Sequence, residues 1–438
     1  MTIYVKTMRV IADLHLHSKY SRATSQNMNI GELTHFAQVK GLNLLGTGDF
    51  THPKWMNELR SSLVEVQDKN LYKPSSNPAS PVHFMVTSEV CTIFEFEGRV
   101  KKIHHVILTP SLEAAEQISD RLSRYGDLTV DGRPTFKMSS SELVEEIIGV
   151  SDDNVVFPAH VWTPWFSLFG AFSGFDRIED CYEDMTKHIF ALETGLSSDP
   201  PMNWRLSALD KYVLVSNSDA HSSWPWRTGR EANVLELSEV TYDEVVATIR
   251  EKDRSRFKQT IEVNPAYGKY HWTGHRECGV SVSPKEAIKL DNICPVCKRR
   301  LTEGVEQRVE ELADRPFDFH PADAIGFVHL LPLHEIIAAV LEVKSLSTTK
   351  IWDVFNSLVS RFGSEYNVSL DASRSELAQV VDPKIADAIV RIREGKIRII
   401  PGYDGVYGKL VIFEEDEGKN QVKESGKAKS QIKLEKFM

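Results

Sequence analysis

Residues 12–18, with the sequence ADLHLHS, decide the fold and indicate the chemistry of this chain. Their apolar flanks predict a buried β-strand. Alternate residues of a strand share a face, so Asp13, His15 and His17 lie together on one side. Inward-facing imidazoles cost free energy unless hydrogen bonds or a metal ion satisfy them. The stretch alone therefore leaves two interpretations open, a pair of hydrogen-bonded histidines and a metal site.

The composition sets the frame for both interpretations. The chain has 438 residues, which is room for two or three domains, and a net charge of -10. That charge argues against a surface that binds nucleic acid everywhere, but it leaves room for a local basic groove. The N-terminal residues lack the apolar stretch of a secretory signal, so we expect a cytoplasmic protein. Five cysteines are too few for a disulfide scaffold, and three of them cluster, which indicates metal.

The pattern of strands and helices divides the chain into four regions. From residue 8 to about 250, short β-rich runs alternate with helical stretches, which predicts a parallel α/β barrel or a doubly wound sheet. A turn-rich, cysteine-containing segment follows, then a mostly helical one, then a Lys/Ser/Gly-rich tail that we expect to be disordered. The predicted domains are a barrel at 1–255, a zinc-binding domain at 256–316, a helical domain with a DNA contact at 317–412 and a tail at 413–438.

Ligand-type side chains lie near one end of six predicted strands. They are His15 and His17, Asp49 and His52, Glu89, His104 and His105, His160, and Asp219 and His221. Barrel chemistry is found where strands end, and six such coincidences are hard to explain by chance. Mixed histidine and carboxylate sets suit Zn²⁺ or Mn²⁺. Only one of His104 and His105 can face the site, because neighbours on a strand point in opposite directions.

The order of the motifs DLHLHS, TGDFTH, Glu89, HHVIL, PAH and SDAH resembles the PHP (polymerase and histidinol phosphatase) family over about residues 8–250. The resemblance implies a distorted (βα)₇ barrel that holds a cluster of divalent ions (Zn, Mg or Mn) and hydrolyses phosphoesters. Such ions lower the pKa of a bound water and polarise a phosphoryl oxygen.

The metal ligands that the resemblance implies are His15, His17, Asp49, Glu89, His105, His160, Asp219 and His221. Among them Glu89, His160 and Asp219 are the expected catalytic residues. Three positions depart from the family pattern or stay open, and one is Ser21-Arg22, where many members have an acidic residue or a histidine. Two residues separate Asp49 from His52, so Asp49 is favoured and His52 is the second choice. The HVIL context favours His105 over His104.

A second metal site is predicted from spacing alone. His275-x-x-Cys278 and Cys294-x-x-Cys297 are separated by fifteen residues, which fits a closed tetrahedral structural zinc site. The histidine is the uncertain member, because His271 lies nearby. The alternative is a cluster of reduced thiols.

Aromatic and basic residues next to these motifs are candidates for contact with DNA. They are Trp162, Trp165, Trp224, Trp226, Arg227, Lys298 and Arg299. Aromatic side chains above a metal cluster can stack on bases, and basic ones can neutralise phosphates. The alternative for any single tryptophan is loop packing, and for the basic residues a solvated surface.

The C-terminal sequence SQIKLEKFM resembles the box that binds the sliding clamp (PCNA), with Gln431, Leu434, Phe437 and Met438 in the contacting positions. A short helical turn places the three apolar residues on one face, at the end of a polar tail.

The barrel, the zinc site, the helical region and the tail together are similar to the archaeal endonuclease Q family over nearly the whole chain. That resemblance implies binding of damaged double- or single-stranded DNA. It also implies cleavage 5′ of deaminated bases (uracil, hypoxanthine, xanthine) and abasic sites, which leaves 3′-hydroxyl and 5′-phosphate ends. A small-molecule phosphatase and a non-catalytic clamp-tethered adaptor are the alternatives.

Overall fold

The strands that carry most of the ligand-type residues belong to one large mixed sheet in a computed structural model, which describes residues 6–413. The strands are β1 Met8–Asp13, β2 Leu44–Gly46, β3 Leu63–Val66, β4 Leu71–Pro74, β5 His83–Phe96, β6 Arg99–Thr109, β7 Thr135–Phe136, β8 Val155–Pro158, β9 Ala191–Glu193, β10 Val213–Val215, β11 Ala232–Leu237, β12 Phe257–Glu262, β13 Thr273–His275, β14 Val280–Val282, β15 Gly326–His329, β16 Arg398–Ile400 and β17 Lys409–Val411.

Helices cover the sheet and form most of the C-terminal region. They are α1 Ile30–Lys40, α2 Pro53–Ser62, α3 Leu112–Leu122, α4 Ser140–Ile148, α5 Ile178–Tyr182, α6 Pro200–Trp204, α7 Tyr242–Arg250, α8 Pro284–Lys289, α9 Val305–Leu312, α10 Leu333–Leu341, α11 Thr349–Phe362, α12 Arg374–Leu377 and α13 Pro383–Arg393. Local sequence sets their ends. For example, Asn29 accepts a hydrogen bond from the backbone of Glu32 at the start of α1, and Gly41 ends that helix with φ 96°.

The large sheet runs in the order β15-β12-β11-β1-β2-β5-β4-β3, and β6 pairs with both β5 and β8. The β1–β2 and β2–β5 pairs are parallel, as strand–helix alternation predicts. The β5–β6 and β6–β8 pairs are antiparallel, so the alternation is interrupted at the centre of the sheet. The fold is therefore a mixed α/β sheet.

The parallel pair β9–β10 approaches the carboxyl ends of the large sheet. The backbone N–H of Val161, after β8, donates to the carbonyl of Glu193 at 2.9 Å. The backbone N–H of His17, after β1, donates to the carbonyl of Ala220 at 3.1 Å. These bonds bring the ends of β1, β8, β9 and β10 together, which is where the ligand-type residues lie.

The predicted domain boundaries need correction. Strand β12 begins at Phe257 and pairs with β11, and β15 pairs with β12, so the sheet continues past residue 255 and takes in part of the region predicted at 317–412. That region also contains β16 and β17 and is not wholly helical. Its helices α10, α11 and α13 enclose an apolar core of their own.

The Cys/His segment forms a small unit with its own core. It consists of the β13–β14 hairpin and α8, packed around Val282, Ala287, Cys294 and Leu301. Within residues 6–413 there is no helix of the length and apolar character needed to cross a bilayer. The predicted disordered tail and its clamp-binding residues lie outside the described residues.

Candidate functional site

The centre of the site lies where β1 ends. His15 is buried, and its Nδ1 lies 3.0 Å from both carboxylate oxygens of Glu193. Its Nε2 therefore points the other way, 3.5 Å from Glu89 Oε2 and 3.7 Å from Asp219 Oδ1. Among the described residues this Nε2 has no hydrogen-bond partner. A buried imidazole nitrogen without a hydrogen-bond partner, aimed at two carboxylates, is an arrangement that suits a metal ion.

Two groups of ligand-type atoms meet at this centre and share Glu89. The first consists of His15, His17, Glu89 and Asp219, and the second of Glu89, His104 and His160; in each group the atoms lie within 4.8 Å of one another. His17 Nε2 lies 2.9 Å from Asp219 Oδ1, and Glu89 Oε1 lies 2.7 Å from His104 Nδ1. A shared carboxylate between two sets of ligands fits a pair of divalent ions.

A second layer of carboxylates orients the histidines. Asp49 Oδ1 lies 3.0 Å from His17 Nδ1, just as Glu193 holds His15. Asp49 is itself held by Ser18, whose backbone N–H and hydroxyl donate to its Oδ2 at 2.6 and 2.7 Å. Such contacts fix the tautomer and direction of a metal-binding imidazole. Asp49 thus stands behind His17, outside both groups of ligand-type atoms.

The charged groups of the centre shift one another's pKa values. Burial disfavours a charged imidazole, but Glu193 and Glu89 outweigh it and raise the pKa of His15 well above its usual value. Burial likewise opposes ionisation of Glu89, yet His104, Arg133 and His15 hold its pKa well below the ordinary range. The carboxylates of the centre thus favour positive charge beside them, a setting that suits divalent cations.

The backbone at the centre is strained. Asp49, His160 and Asp219 have φ values of 51°, 31° and 47°, in the left-handed region that residues other than glycine seldom adopt. Strain of this kind persists where the surrounding structure holds it, and it concentrates at functional sites.

The prediction that His105 rather than His104 faces the site is wrong. In the β5–β6 pair, His104 lies opposite Cys91, and residues that lie opposite each other share a face of the sheet. Cys91 is two residues from Glu89, so His104 faces the centre with Glu89. His105 points away and lies 2.9 Å from the Tyr182 hydroxyl.

The other predicted ligands lie close by but outside both groups. His221 contacts His17 with ring centroids 4.4 Å apart, and its Nδ1 lies 2.9 Å from the carbonyl of Asp219. His52 stacks on Tyr20 at 4.5 Å. The sequence does not single out Glu193 or Arg133, whose Nη1 lies 3.0 Å from Glu89 Oε2. Glu193 is the last residue of its strand, like the carboxylates that the sequence does single out, and this position is the signal that could have found it.

The four residues of the predicted zinc site come together. His275, Cys278, Cys294 and Cys297 place one ligand atom each within 4.8 Å of the others, and Cys297 Sγ lies 3.5 Å from His275 Nδ1. His271 is not part of this group and lies 3.4 Å from Glu306. Three sulfurs and one imidazole nitrogen are a donor set typical of structural zinc.

The predicted DNA-binding residues divide between surface and interior. Trp162 is 1% exposed and donates from Nε1 to Asn203 Oδ1, so it is a packing residue, and Trp226 is also buried. Trp165 and Trp224 are 39% and 37% exposed. Lys298 and Arg299 lie on the surface, where Arg299 pairs with Glu277.

A cavity of about 490 Å³ opens beside the centre. Three ligand-type residues (His104, His160 and Asp219) and Arg133 line one side, and Trp165, Phe166, Tyr270 and Tyr407 line others. The volume falls within the roughly 300–1,000 Å³ range of small-ligand sites. Aromatic side chains in the wall of a cavity suit a planar ring such as a nucleobase.

The chain resembles several known proteins. A crystal structure of the lesion-specific endonuclease Q from Pyrococcus furiosus matches it with a TM-score of 0.83 and 33% identity, over 96% of this chain and all (100%) of that one. A structure of endonuclease Q with a 27-mer duplex substrate, which has an abasic lesion at the active site, matches with a TM-score of 0.81 and 34% identity, over 93% and 98% of the two chains.

Sequence comparisons add three matches. The protein YqxK of Bacillus subtilis is 28% identical over 414 residues, 92% of this chain and 99% of that protein. The protein MJ0043 of Methanocaldococcus jannaschii is 33% identical over 254 residues, 57% of this chain but only 31% of its own length. The family model of the MJ0043 C-terminal domain matches residues 332–396. With one-third identity over the full length of a solved relative, the chain belongs to the endonuclease Q family of DNA endonucleases.

Proposed function

We propose that this chain is a metal-dependent DNA repair endonuclease that cleaves the phosphodiester 5′ of deaminated bases (uracil, hypoxanthine, xanthine) and of abasic sites, leaving 3′-hydroxyl and 5′-phosphate ends. The observation that carries the proposal is the pair of ligand groups sharing Glu89 at the wall of a cavity of about 490 Å³. A relative in the same family has been crystallised with an abasic-lesion duplex at its active site.

The residues we assign to the metals are His15, His17, Glu89, His104, His160 and Asp219, with His221 as a further candidate. Divalent ions held there would supply a nucleophilic water and stabilise the charge that develops on the phosphate. The unpartnered Nε2 of His15 supports this assignment. The contacts between the ends of β1, β8, β9 and β10 support our proposal of a distorted (βα)₇ barrel, in which these residues lie together where strands end.

We infer that the protein's own residues prepare the substrate. Arg133, which lines the cavity, is placed to neutralise a phosphate oxygen beside Glu89. The cavity would take the damaged nucleotide after it leaves the stack, with Trp165 and Tyr270 beside its ring. A mismatched or missing base costs less to extrude, and this supplies part of the selectivity.

The remaining assignments rest on sequence and donor chemistry. We propose a structural zinc ion at His275, Cys278, Cys294 and Cys297, and DNA contacts from the exposed Lys298 and Arg299. Binding of a sliding clamp (PCNA) through Gln431, Leu434, Phe437 and Met438, a cytoplasmic location and an archaeal source also stay predictions. Deleting residues 431–438 should abolish capture of the clamp and leave nicking of short duplexes unchanged.

The test uses labelled duplexes with one deoxyuridine, one deoxyinosine or one abasic site, incubated with Mg²⁺, Mn²⁺ or Zn²⁺. The wild-type protein is compared with Asp219→Ala and with Asp152→Ala, a control at an exposed turn between α4 and β8. We expect a single nick 5′ of the lesion from wild type and Asp152→Ala. Asp219→Ala should lose about 1000-fold in rate, which corresponds to roughly 4 kcal/mol of transition-state stabilisation.

Absence of a lesion-dependent nick from the metal-loaded wild type would refute the proposal. Hydrolysis of p-nitrophenyl phosphate without any nick would then indicate a small-molecule phosphatase. Tight lesion binding without turnover would indicate an adaptor.

A further inference from the structure

The C-terminal helical region reaches the back of the loop that carries Asp219. Tyr366, between α11 and α12, is 2% exposed, and its hydroxyl donates a hydrogen bond to the carbonyl of Gly229. Gly229 has φ 65°, and a Cβ there would lie 2.8 Å from the Leu42 side chain and 3.2 Å from the Tyr366 hydroxyl. The position thus requires glycine, and the tyrosine is fitted closely against it.

Residues 229 and 230, next to the Tyr366 hydroxyl, restrain the backbone of Ser218, one through Asp13 and the other directly. The backbone N–H of Gly229 donates to Asp13 Oδ2 at 2.9 Å, and Asp13 accepts hydrogen bonds from the backbone N–H and hydroxyl of Ser218 at 3.0 and 2.6 Å. The neighbouring Arg230 donates from Nε and Nη2 to the Ser218 carbonyl at 3.0 and 2.9 Å. The backbone N–H and the backbone carbonyl of Ser218 are therefore both held by hydrogen bonds.

The residue that follows is the one that needs this support. Asp219 has φ 47°, and its Oδ1 lies 2.9 Å from His17 Nε2 in the first ligand group. A strained conformation persists when several contacts over-determine it. The Ser218 contacts supply that restraint immediately before Asp219.

A buried ion pair holds the turn that carries Tyr366. Lys40 Nζ lies 2.8 Å from Glu365 Oε1 and also donates to the carbonyl of Pro225, and both charged side chains are 2% exposed. Glu365 Oε1 in addition accepts from the backbone N–H of Leu333, at the start of α10. The turn that holds Tyr366 is thus anchored to the sheet domain and to its own helices.

We propose that Tyr366 is a positioning residue for the metal centre: through Gly229, Asp13 and Ser218 it holds Asp219 in its ligand geometry. This inference rests on the metal site of the proposed function. It gives the helical region a part in the centre itself, in addition to any contact that it makes with DNA.

The chain offers a matched control for mere attachment of the helical region. Arg9 Nη2, on β1, lies 2.6 Å from Asp371 Oδ2, five residues beyond Tyr366. This pair joins the same two parts of the molecule and is partly exposed (39% and 48%). Within residues 6–413 the hydrogen bonds of the Arg9 and Asp371 side chains join them to each other and to Asn367, and none reaches the 218–230 loop. Asp371→Asn therefore weakens the attachment without touching the proposed relay.

The experiment compares wild type, Tyr366→Phe and Asp371→Asn as full chains. Mn²⁺ binding is titrated without DNA by the electron paramagnetic resonance of the free ion, since Mn²⁺ favours oxygen and nitrogen ligands over thiolates. Loss of one hydrogen bond, about 1 kcal/mol, predicts a roughly fivefold weaker Mn²⁺ affinity for Tyr366→Phe. Asp371→Asn should stay within about twofold of wild type, as for a surface ion pair. At saturating Mn²⁺, kcat for lesion DNA should fall in Tyr366→Phe with KM unchanged.

Equal Mn²⁺ affinities in wild type and Tyr366→Phe would overturn the relay. So would an equal loss in both variants that tracks their melting temperatures, because attachment alone would then explain it. Tyr366→Leu, which removes the ring as well, must bind Mn²⁺ no better than Tyr366→Phe. A wild type that binds Mn²⁺ but nicks no lesion refutes the proposed function and leaves this comparison of affinities readable.

Discussion

The two clusters of ligand-type side chains are assembled in opposite ways. The first gathers residues from His15 to Asp219 onto the ends of several strands, with nitrogen and oxygen donors. The second uses four residues within 275–297, three of them cysteines, on a hairpin and a loop. The first borders a cavity, whereas the second closes around a small apolar core.

The difference separates chemistry from folding. Three thiols and one imidazole supply all four ligands of a tetrahedral zinc site, which leaves no position for a substrate. The apolar core beside them is small, and a core of this size needs a metal ion or another link to be stable. The first cluster lies in a sheet with extensive cores on both faces, so its ligands are free to serve a reaction. Removing a ligand should therefore cost structure in one cluster and turnover in the other.

The largest effect should come from Cys294→Ser in the second cluster. Cys294 is fully buried, and loss of one thiolate should release the zinc equivalent, which in small zinc domains supplies about 10 kcal/mol of folding free energy. Zinc content by mass spectrometry and hydrogen exchange over 273–302 measure the outcome. Cys181→Ser, at a buried thiol outside the cluster, is the control and should keep its zinc. Normal protection in zinc-free protein would contradict a structural role.

In the first cluster, His104→Ala and His105→Asn test which histidine serves the centre. We expect His104→Ala to lose about 100- to 1000-fold in nicking rate with little change in unfolding temperature, since one ligand to the Glu89 group is gone. His105→Asn removes a bond to Tyr182 and should lower stability, while the folded fraction keeps its rate within about tenfold. The reverse order of rates would restore His105 as the ligand.

Asp49→Asn separates a ligand from the residue behind it. The amide keeps the shape of the carboxylate but removes the charge that holds His17 Nδ1. Second-layer changes of this kind typically cost roughly 10- to 100-fold in metal affinity or activity. Mn²⁺ titration and nicking rates should fall together by that amount. A loss as large as that of Asp219→Ala would make Asp49 a direct ligand.

Much of this site can be predicted from the sequence, because motifs at strand ends can be recognised before the fold is known. The pairs His15/His17 and Cys294/Cys297 carry their geometry in their spacing. The direction of His104 does not, since it depends on which residue of β5 lies opposite. The register is set by packing across the whole hairpin, and a shift by one residue reverses every side chain.

Contacts between residues far apart in the sequence are equally hard to predict. Glu193 ends a short strand, a signal that it shares with many polar residues, and the approach of β9 to the end of β1 makes it the partner of His15. Trp162 follows His160 and is a candidate for DNA contact by sequence, but it is buried, so the alternative of loop packing holds for it. Likewise the sheet continues beyond the predicted boundary, because β12 pairs with β11 and the distant β15 pairs in turn with β12.

His334 is a buried histidine outside both clusters, and its ring neighbours are aromatic. His334 lies among Trp226, Trp352 and Phe355, with ring centroids 4.2 to 4.7 Å away, and among residues 6–413 neither ring nitrogen has a hydrogen-bond partner. Burial, with a contribution from Lys40, lowers its pKa to about 3. His15, equally buried, has its pKa raised because Glu193 and Glu89 outweigh burial.

A depressed histidine pKa means that the unfolded chain takes up the proton first. His334 should therefore cost no stability above about pH 6.5, and stability should fall by about 1.4 kcal/mol per pH unit as the pH drops below that value towards 3. His334→Phe should remove this part of the acid slope in denaturant melts at pH 7, 6 and 5, with His35→Phe as the control at an exposed histidine. An unchanged slope would mean that the rings around His334 admit water before the rest of the fold opens, and that His334 is less well shielded from water than His15.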